Sequence, residues 1–174
     1  MTMVVDLFGF ARGAQQQQGV APLGQFLRLQ QECLTGLAAV SWQAIGQPAG
    51  AIVRHEAGGQ AAEQGYLVLK AAVKLVRRCG RCNQPVDLLL QAAARLAIYR
   101  TEAEADAVPL DEDEADPVVG SRQFDLLAQV EEELLLAIPG FFAHAHCPTA
   151  LLDGFATTDR PNPFAALAAL KKKN

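Results

Sequence analysis

Residues 66–99 read YLVLKAAVKLVRRCGRCNQPVDLLLQAAARLAIY, in which two long apolar runs flank the short motif Cys79-Gly80-Arg81-Cys82. The runs contain β-branched and aromatic residues, which favour strands. A turn between two such runs predicts a long antiparallel hairpin with the two cysteines at its tip. The alanines at positions 92–94 leave a helix open as an alternative for the second run.

Shorter elements are predicted on both sides of this hairpin. Residues 37–45 and 49–56, separated by the turn signal Gly46-Gln47-Pro48, predict a second hairpin, and the glutamine tract at 15–18 predicts a polar loop. Helices are predicted within residues 22–32, from the N-cap Asp125 to Pro139-Gly140, and at 163–171. The pattern predicts an α+β fold, in which a meander-like antiparallel sheet is packed by a few short helices.

Length and composition predict one domain over residues 1–174. The chain is 51% hydrophobic and 20% charged, which is apolar enough to bury a core. It has no apolar stretch of the roughly 18 residues that a spanning helix needs and no basic start followed by a long apolar run, so we expect a cytoplasmic protein without membrane contacts. Four cysteines are too few and too scattered for a disulfide framework, which favours reduced thiols or a bound metal.

Acidic residues are concentrated between positions 102 and 116. Eight of the 19 acidic residues lie there without a lysine or arginine, so the rest of the chain has 15 basic against 11 acidic residues. A like-charged stretch that contains Pro109 and Pro117 buries little apolar area, and we expect a flexible acidic loop at about 102–118. This loop either only solvates the surface or docks on a basic partner.

The cysteine motif also predicts a metal site. Cys79 and Cys82 are spaced so that both sulfurs can point at one ion, and the cluster His144-Ala145-His146-Cys147 offers the remaining ligands. We predict a zinc site of Cys79, Cys82, His144 and Cys147, which His146 reaches less easily. Two alternatives stay open: a plain turn with reduced thiols, and a redox pair, which would require a helix to begin at the motif.

Basic residues near the motif suggest a surface for nucleic acid or a protein partner. If residues 66–76 form a strand, Lys70, Lys74 and Arg78 project from one face, and Arg81 lies at the tip. Lys171, Lys172 and Lys173 add a cluster at the C-terminal end. An ordinary solvated face is the alternative. Phe141 and Phe142 are candidates for stacking on bases, although packing in the core is favoured.

The order of several motifs resembles the YceD family of large ribosomal RNA subunit accumulation proteins. The resemblance covers the chain from about residue 65 onward and rests on Cys79-Gly80-Arg81-Cys82, on the segment at 124–139, on His144 with His146-Cys147, and on the ending Arg160-Pro161-Asn162-Pro163-Phe164. It implies a non-enzymatic role in the synthesis, processing or stability of large-subunit ribosomal RNA. Many members have a second cysteine pair near the C-terminus, whereas this chain has Cys147 alone.

Three classes of function remain at this stage. The first is a ribosome-biogenesis factor that binds large-subunit rRNA or an assembly protein. The second is an adaptor that binds a basic ribosomal protein through the acidic loop. The third is a thiol- or metal-dependent enzyme, but the sequence shows no catalytic triad, phosphate loop or paired catalytic carboxylates, so we expect no catalytic residues and no small-molecule substrate.

Overall fold

Strands dominate the part of the chain that the computed structural model describes, which is residues 3–34, 37–50, 64–109 and 115–147. The strands are β1 (Val4–Val5), β2 (Gln16–Pro22), β3 (Ala39–Gln47), β4 (Tyr66–Arg78), β5 (Pro85–Tyr99), β6 (Asp116–Val119) and β7 (Phe124–Asp125). The helices are α1 (Leu7–Arg12), α2 (Leu27–Gln31), α3 (Glu102–Asp106) and α4 (Leu126–Leu136), with a 3₁₀ turn at Leu23–Gln25.

Five of the strands form one sheet in the order β2-β3-β4-β5-β6. All neighbours are antiparallel except β6, which runs parallel to β5. The predicted α+β fold and its long hairpin are therefore confirmed, with Tyr66 opposite Ala97 at one end and Arg78 opposite Pro85 at the other. Residues 92–94 are strand rather than helix, because they pair along β4.

One face of this sheet, the inner face, holds the main core. Side chains alternate along β4, so that Leu67, Leu69, Val73 and Leu75 are buried on this face. Helices α1, α2 and α4 bury their apolar sides in the same core, for example through Leu134. Burial of this apolar surface is the main stabilising contribution to the fold.

The opposite, outer face is largely open to solvent and carries the polar side chains. Lys70, Lys74 and Arg78 are exposed on it, as predicted from their spacing. At the end of the sheet opposite the turn of the β4–β5 hairpin, α3 covers the outer face, and Ala105 packs there with Ala97 and Tyr99. Between α3 and the hairpin tip lies a shallow trough of about 460 Å³, lined by Gln18, Gln43, Lys70 and Gln91 among others.

Carboxylates anchor α4 at its start and its middle. Asp125 caps the helix as predicted, because its Oδ1 accepts the N–H of Leu127 at 3.0 Å, and the same atom accepts the N–H of Met3 at 3.2 Å. Further along, Glu131 accepts the backbone N–H of Arg28 at 2.8 Å. The helix is thereby tied to the residue before β1 and to α2. No helix within the described ranges is long and apolar enough to cross a membrane.

Several local predictions need correction. The glutamine tract at 15–18 is not a polar loop, because Gln16 begins β2 and its backbone pairs with β3. The pairing found for β3 is with β2 and β4, and the second half of the predicted hairpin lies largely outside the described residues.

The acidic stretch is not one continuous loop. Helix α3 occupies its first residues, with Thr101 as the N-cap, and β6 begins at Asp116. The loop was predicted from the run of like charges alone. Ala105, the buried residue of α3, packs with Ala97 and Tyr99 and so holds the helix against the sheet. Its central residues, 110–114, lie outside the described part of the chain, and so does the predicted helix at 163–171 with Lys171, Lys172 and Lys173.

Candidate metal centre

The tip of the β4–β5 hairpin is a tight loop of residues 79–84 that points Cys79 and Cys82 the same way. Its ends are closed by a hydrogen bond from the N–H of Cys79 to the carbonyl of Gln84 at 2.9 Å, and the N–H of Asn83 donates to the carbonyl of Cys79 at 2.9 Å. Asn83 has a φ of 58°, a left-handed conformation that asparagine adopts more readily than most residues. We call this loop the knuckle.

A second segment, residues 141–147, docks on the knuckle after α4 has ended. The N–H of Gly80 donates to the carbonyl of Phe142 at 2.8 Å. A Cβ atom at position 80 would lie 2.8 Å from Cε2 of Phe141, which is too close for a carbon contact. The carbonyl oxygen of Phe142 would lie 3.3 Å from that Cβ atom, so the glycine in the cysteine motif leaves room for the second segment, with its histidine and thiol, to approach closely.

Four side chains meet between these segments: Cys79, Cys82, His144 and Cys147. Their ligand atoms all lie within 4.8 Å of one another. The Sγ atoms of Cys79 and Cys147 are 3.6 Å apart, and Sγ of Cys82 is 3.4 Å from Nδ1 of His144. In a tetrahedral site with Zn–S bonds of about 2.3 Å, neighbouring sulfurs are about 3.8 Å apart, so these two distances are close to those of such a site.

The imidazole of His144 is oriented by a hydrogen bond on its far side. Its Nε2 lies 3.0 Å from the carbonyl oxygen of Pro85, which can only accept a hydrogen bond. Nε2 therefore carries the proton, and the lone pair of Nδ1 faces the sulfurs. Backbone carbonyls commonly hold metal-ligating histidines in this way.

The environment of the thiols favours one thiolate in the cluster. Burial of Cys79 opposes ionisation, but hydrogen bonds from the backbone of Cys82, Arg81 and His144 outweigh it and lower the pKa of Cys79 to about 5. Burial and the neighbouring sulfurs raise the pKa of Cys147. The cluster therefore has one preformed thiolate, which is the form that a metal ligand requires.

These four residues form a group that could hold a metal ion, and their chemistry is that of a closed structural site. Three sulfurs and one imidazole are soft and intermediate donors, and they leave no open position on a four-coordinate ion. A redox pair is not supported, because the motif is followed by β5 and not by the helix whose dipole such a pair uses. All four cysteines are free thiols.

The structure also shows where the other predicted residues lie. His146 is exposed and outside the cluster. Arg81 is exposed at the knuckle, and Nη1 of Arg78 donates to the carbonyl of Asn83 at 3.3 Å. Phe142 packs against the core as expected, but Phe141 is 66% exposed. Two contributions were not predicted from the sequence, the space left by Gly80 and the hydrogen bond to the Pro85 carbonyl. The glycine within the cysteine motif was a signal for the first, and the second had none.

Comparison with known proteins places the chain in a family. The family model described as large ribosomal RNA subunit accumulation protein YceD matches residues 67–171, which include the hairpin, the knuckle and the segment that docks on it. A Haemophilus influenzae protein named large ribosomal RNA subunit accumulation protein YceD is 30% identical over 122 residues, which are 63% of this chain and 68% of that protein. No solved structure matches. The family model covers well over half of the chain, which therefore belongs to the YceD family.

Proposed function

We propose that this protein is a cytoplasmic, non-enzymatic factor that binds large-subunit ribosomal RNA and supports its synthesis, processing or stability. The names of the family and of its Haemophilus influenzae member refer to accumulation of this RNA. The observation that carries the binding mode is the charge of the sheet: strands β2 to β5 contain five lysines and arginines and one carboxylate, Asp87.

The outer face presents most of this charge to solvent. Lys70, Lys74 and Arg78 are exposed there on β4, and Arg95 is exposed beside them on β5. Among the residues that the structure describes, Lys74 is the one of these four with a carboxylate partner, with Nζ 2.6 Å from Asp87. Phosphate groups of RNA supply the complementary charge, and neutralising them releases counterions, which favours binding at low salt.

The knuckle extends this face with groups suited to unpaired bases. Arg81 and Phe141 are both exposed, and Phe141 stands over Gly80. Arg95 adds a planar guanidinium stacked 4.0 Å above the ring centroid of Tyr66. Aromatic rings and guanidinium planes stack on bases in single-stranded regions of RNA, so a loop or a single strand is the form that this surface suits best.

Zinc has a structural role in this proposal. Bound by Cys79, Cys82, His144 and Cys147, it would hold the knuckle and residues 141–147 in one arrangement. The knuckle is otherwise a short exposed loop, and its position sets where Arg81 and Phe141 lie. A closed four-ligand site offers no position for a substrate, which favours recognition over catalysis.

Binding of the purified protein to large-subunit rRNA fragments tests the proposal. The double variant Lys70→Gln/Arg78→Gln should weaken binding and reduce the dependence on salt by about 1.4 units of slope in a plot of log K against log salt, as expected for two lost contacts to single-stranded phosphates. The matched control is Arg28→Gln/Arg77→Gln, which removes two charges that are already paired with Glu131, Glu132 and Glu32. Equal losses in both variants, or no binding by the wild type, would contradict the proposal.

The adaptor hypothesis has its own support in α3. Glu102 and Asp106 are exposed on this helix, at the end of the sheet away from the knuckle. A basic ribosomal protein bound in the absence of RNA, with the affinity lost in Glu102→Gln/Asp106→Asn, would favour the adaptor. Retained binding to RNA by the same variant would favour the rRNA-binding factor.

A further inference from the structure

Three arginines line a cleft at the end of the molecule away from the knuckle. Arg12 ends α1, Arg100 follows β5, and Arg122 lies between β6 and β7. The cleft has a volume of about 450 Å³, and Asp6, Phe8, Gln64 and Gly120 complete its lining. We call it the arginine cleft. It lies on the helix-covered side of the sheet, apart from the lysine row of the outer face.

Two backbone hydrogen bonds join the three segments around the arginine cleft. The N–H of Gly120 donates to the carbonyl of Tyr99 at 2.8 Å, and the N–H of Leu7 donates to the carbonyl of Ser121 at 3.0 Å. These bonds hold the residues next to Arg100 and Arg122 against the start of α1. Three separate elements therefore present their guanidinium groups from a rigid frame.

A glycine permits this close approach. A Cβ atom at position 120 would lie 2.7 Å from Cγ2 of Ile98 and 2.8 Å from Cε1 of Phe8. Any other residue at position 120 would force the Ile98 or Phe8 side chain, or the β6–β7 connection itself, to shift. The geometry of the cleft thus depends on a local packing feature and not on surface charge alone.

The charges in the arginine cleft are not balanced by the described residues. Within the described ranges Arg12, Arg100 and Arg122 form no ion pair, although Nε of Arg12 donates to the carbonyl of Phe8 at 3.2 Å. The one lining carboxylate, Asp6, caps α1 by accepting the N–H of Phe8 at 3.2 Å. Glu104 nearby accepts the backbone N–H of Arg100 at 2.9 Å. In the described part of the chain, three positive charges therefore line the cleft with one carboxylate, and a second carboxylate, Glu104, lies beside Arg100.

We propose that the arginine cleft binds phosphate groups, supplied in the function proposed above by the backbone of an RNA strand. Guanidinium groups present paired donors that match phosphate oxygens, and they keep their charge at every physiological pH. The cleft is larger than one phosphate group, which leaves room for adjoining sugar-phosphate units. It lies about 14 residues along β5 from the knuckle, roughly 45 Å at the usual rise per residue, so an RNA that occupied both sites would span the length of the sheet.

The test compares Arg100→Gln/Arg122→Gln with the control Arg28→Gln/Arg77→Gln in two assays. The first measures affinity for a single-stranded RNA oligonucleotide over a range of salt. The second titrates the protein with pyrophosphate and follows the NMR signals of the arginine side chains. In the first assay we expect the cleft variant to bind RNA about tenfold more weakly, with the slope of log K against log salt reduced by about 1.4. In the second we expect pyrophosphate to shift the signals of Arg100 and Arg122 in the wild type.

The outcomes separate this inference from the function on which it rests. If the wild type binds RNA and the cleft variant binds it equally well with the same salt slope, the inference is wrong while the rRNA-binding function stands. If the wild type binds pyrophosphate but no RNA, and the cleft variant has lost pyrophosphate binding, the rRNA-binding function is wrong. The cleft is then a site for a free phosphate compound. If the cleft variant also binds pyrophosphate like the wild type, the inference fails as well.

Discussion

The two ends of the β4–β5 hairpin are held in place by different forces. At the arginine-cleft end, Ile98 and Tyr99 are fully buried and pack with Leu7, Phe10 and Ala105 in two apolar clusters. At the knuckle, residues 80–84 are exposed or half-buried, and Cys79 is the buried residue of the loop. Apolar burial therefore fixes one end, whereas the other end depends on four side chains that converge on one point.

Removal of the metal ligands should have the largest effect, and it should be confined to the knuckle. Cys82→Ser is expected to lower the zinc content from about one ion per chain to near zero, because structural zinc contributes roughly 10–16 kcal/mol of apparent binding free energy in zinc-finger peptides. Hydrogen exchange should accelerate in residues 79–84 and 141–147, and amides near Ile98 should keep their protection. His146→Ala, which changes a residue outside the cluster, is the control. Full zinc content in Cys82→Ser would refute the assigned ligand set.

Loss of a core side chain should have the opposite distribution. Leu134 is fully buried where α4 packs on the sheet, and Leu134→Ala is expected to lower the free energy of unfolding by about 2–5 kcal/mol, since it leaves a cavity. Leu136→Ala, on the same helix at a position that is 74% exposed, should cost less than about 0.5 kcal/mol. Chemical denaturation measures both. Similar costs for the two variants would show that α4 is not packed as described.

A smaller effect is expected at the N-cap of α4. Asp125→Ala removes the acceptor for the N–H groups of Leu127, Ala128 and Met3, and should cost about 1–2 kcal/mol. Asp125→Asn keeps a side-chain oxygen at the cap and should retain most of the stability. The zinc content should remain unchanged in both variants, because the cap lies outside the knuckle. Equal destabilisation by alanine and asparagine would indicate that charge, and not capping, is what Asp125 supplies.

The sequence was sufficient where one local signal was strong and nothing competed with it. Alternation along residues 66–78 and the cysteine motif predicted the long hairpin and the side of it that Lys70, Lys74 and Arg78 occupy. The spacing of Cys79, Cys82, His144 and Cys147 predicted which side chains meet, because these types are rare in the chain and clustered in two places. The N-cap at Asp125 was equally readable.

Features that depend on partners distant in sequence could not be predicted in this way. The glutamine tract becomes a strand only because β3 offers it an edge, and a parallel β6 inside the acidic stretch depends on pairing with β5. The arginine cleft is assembled from residues 12, 100 and 122, whose separation in sequence gives no signal of proximity. No sequence motif marks Gly120 either, because the need for a glycine there comes from the nearby side chains of Phe8 and Ile98.

The last prediction concerns the ion pair of Lys74 and Asp87, for which we expect only a small change in stability. It tests whether RNA affinity depends on the charge of the outer face or on the net charge of the protein. Both side chains are more than half exposed, at 68% and 61%, so Asp87→Asn should change the free energy of unfolding by less than about 1 kcal/mol. The same substitution removes the one carboxylate of strands β2 to β5 and releases Lys74, so affinity for RNA should rise about twofold to tenfold at low salt. Glu32→Gln gives the same change in net charge at the partner of Arg77, a side chain that is 23% exposed, and it should leave RNA affinity nearly unchanged. If both variants raised the affinity equally, net charge would govern binding, and the outer face would lose its assignment as the RNA surface.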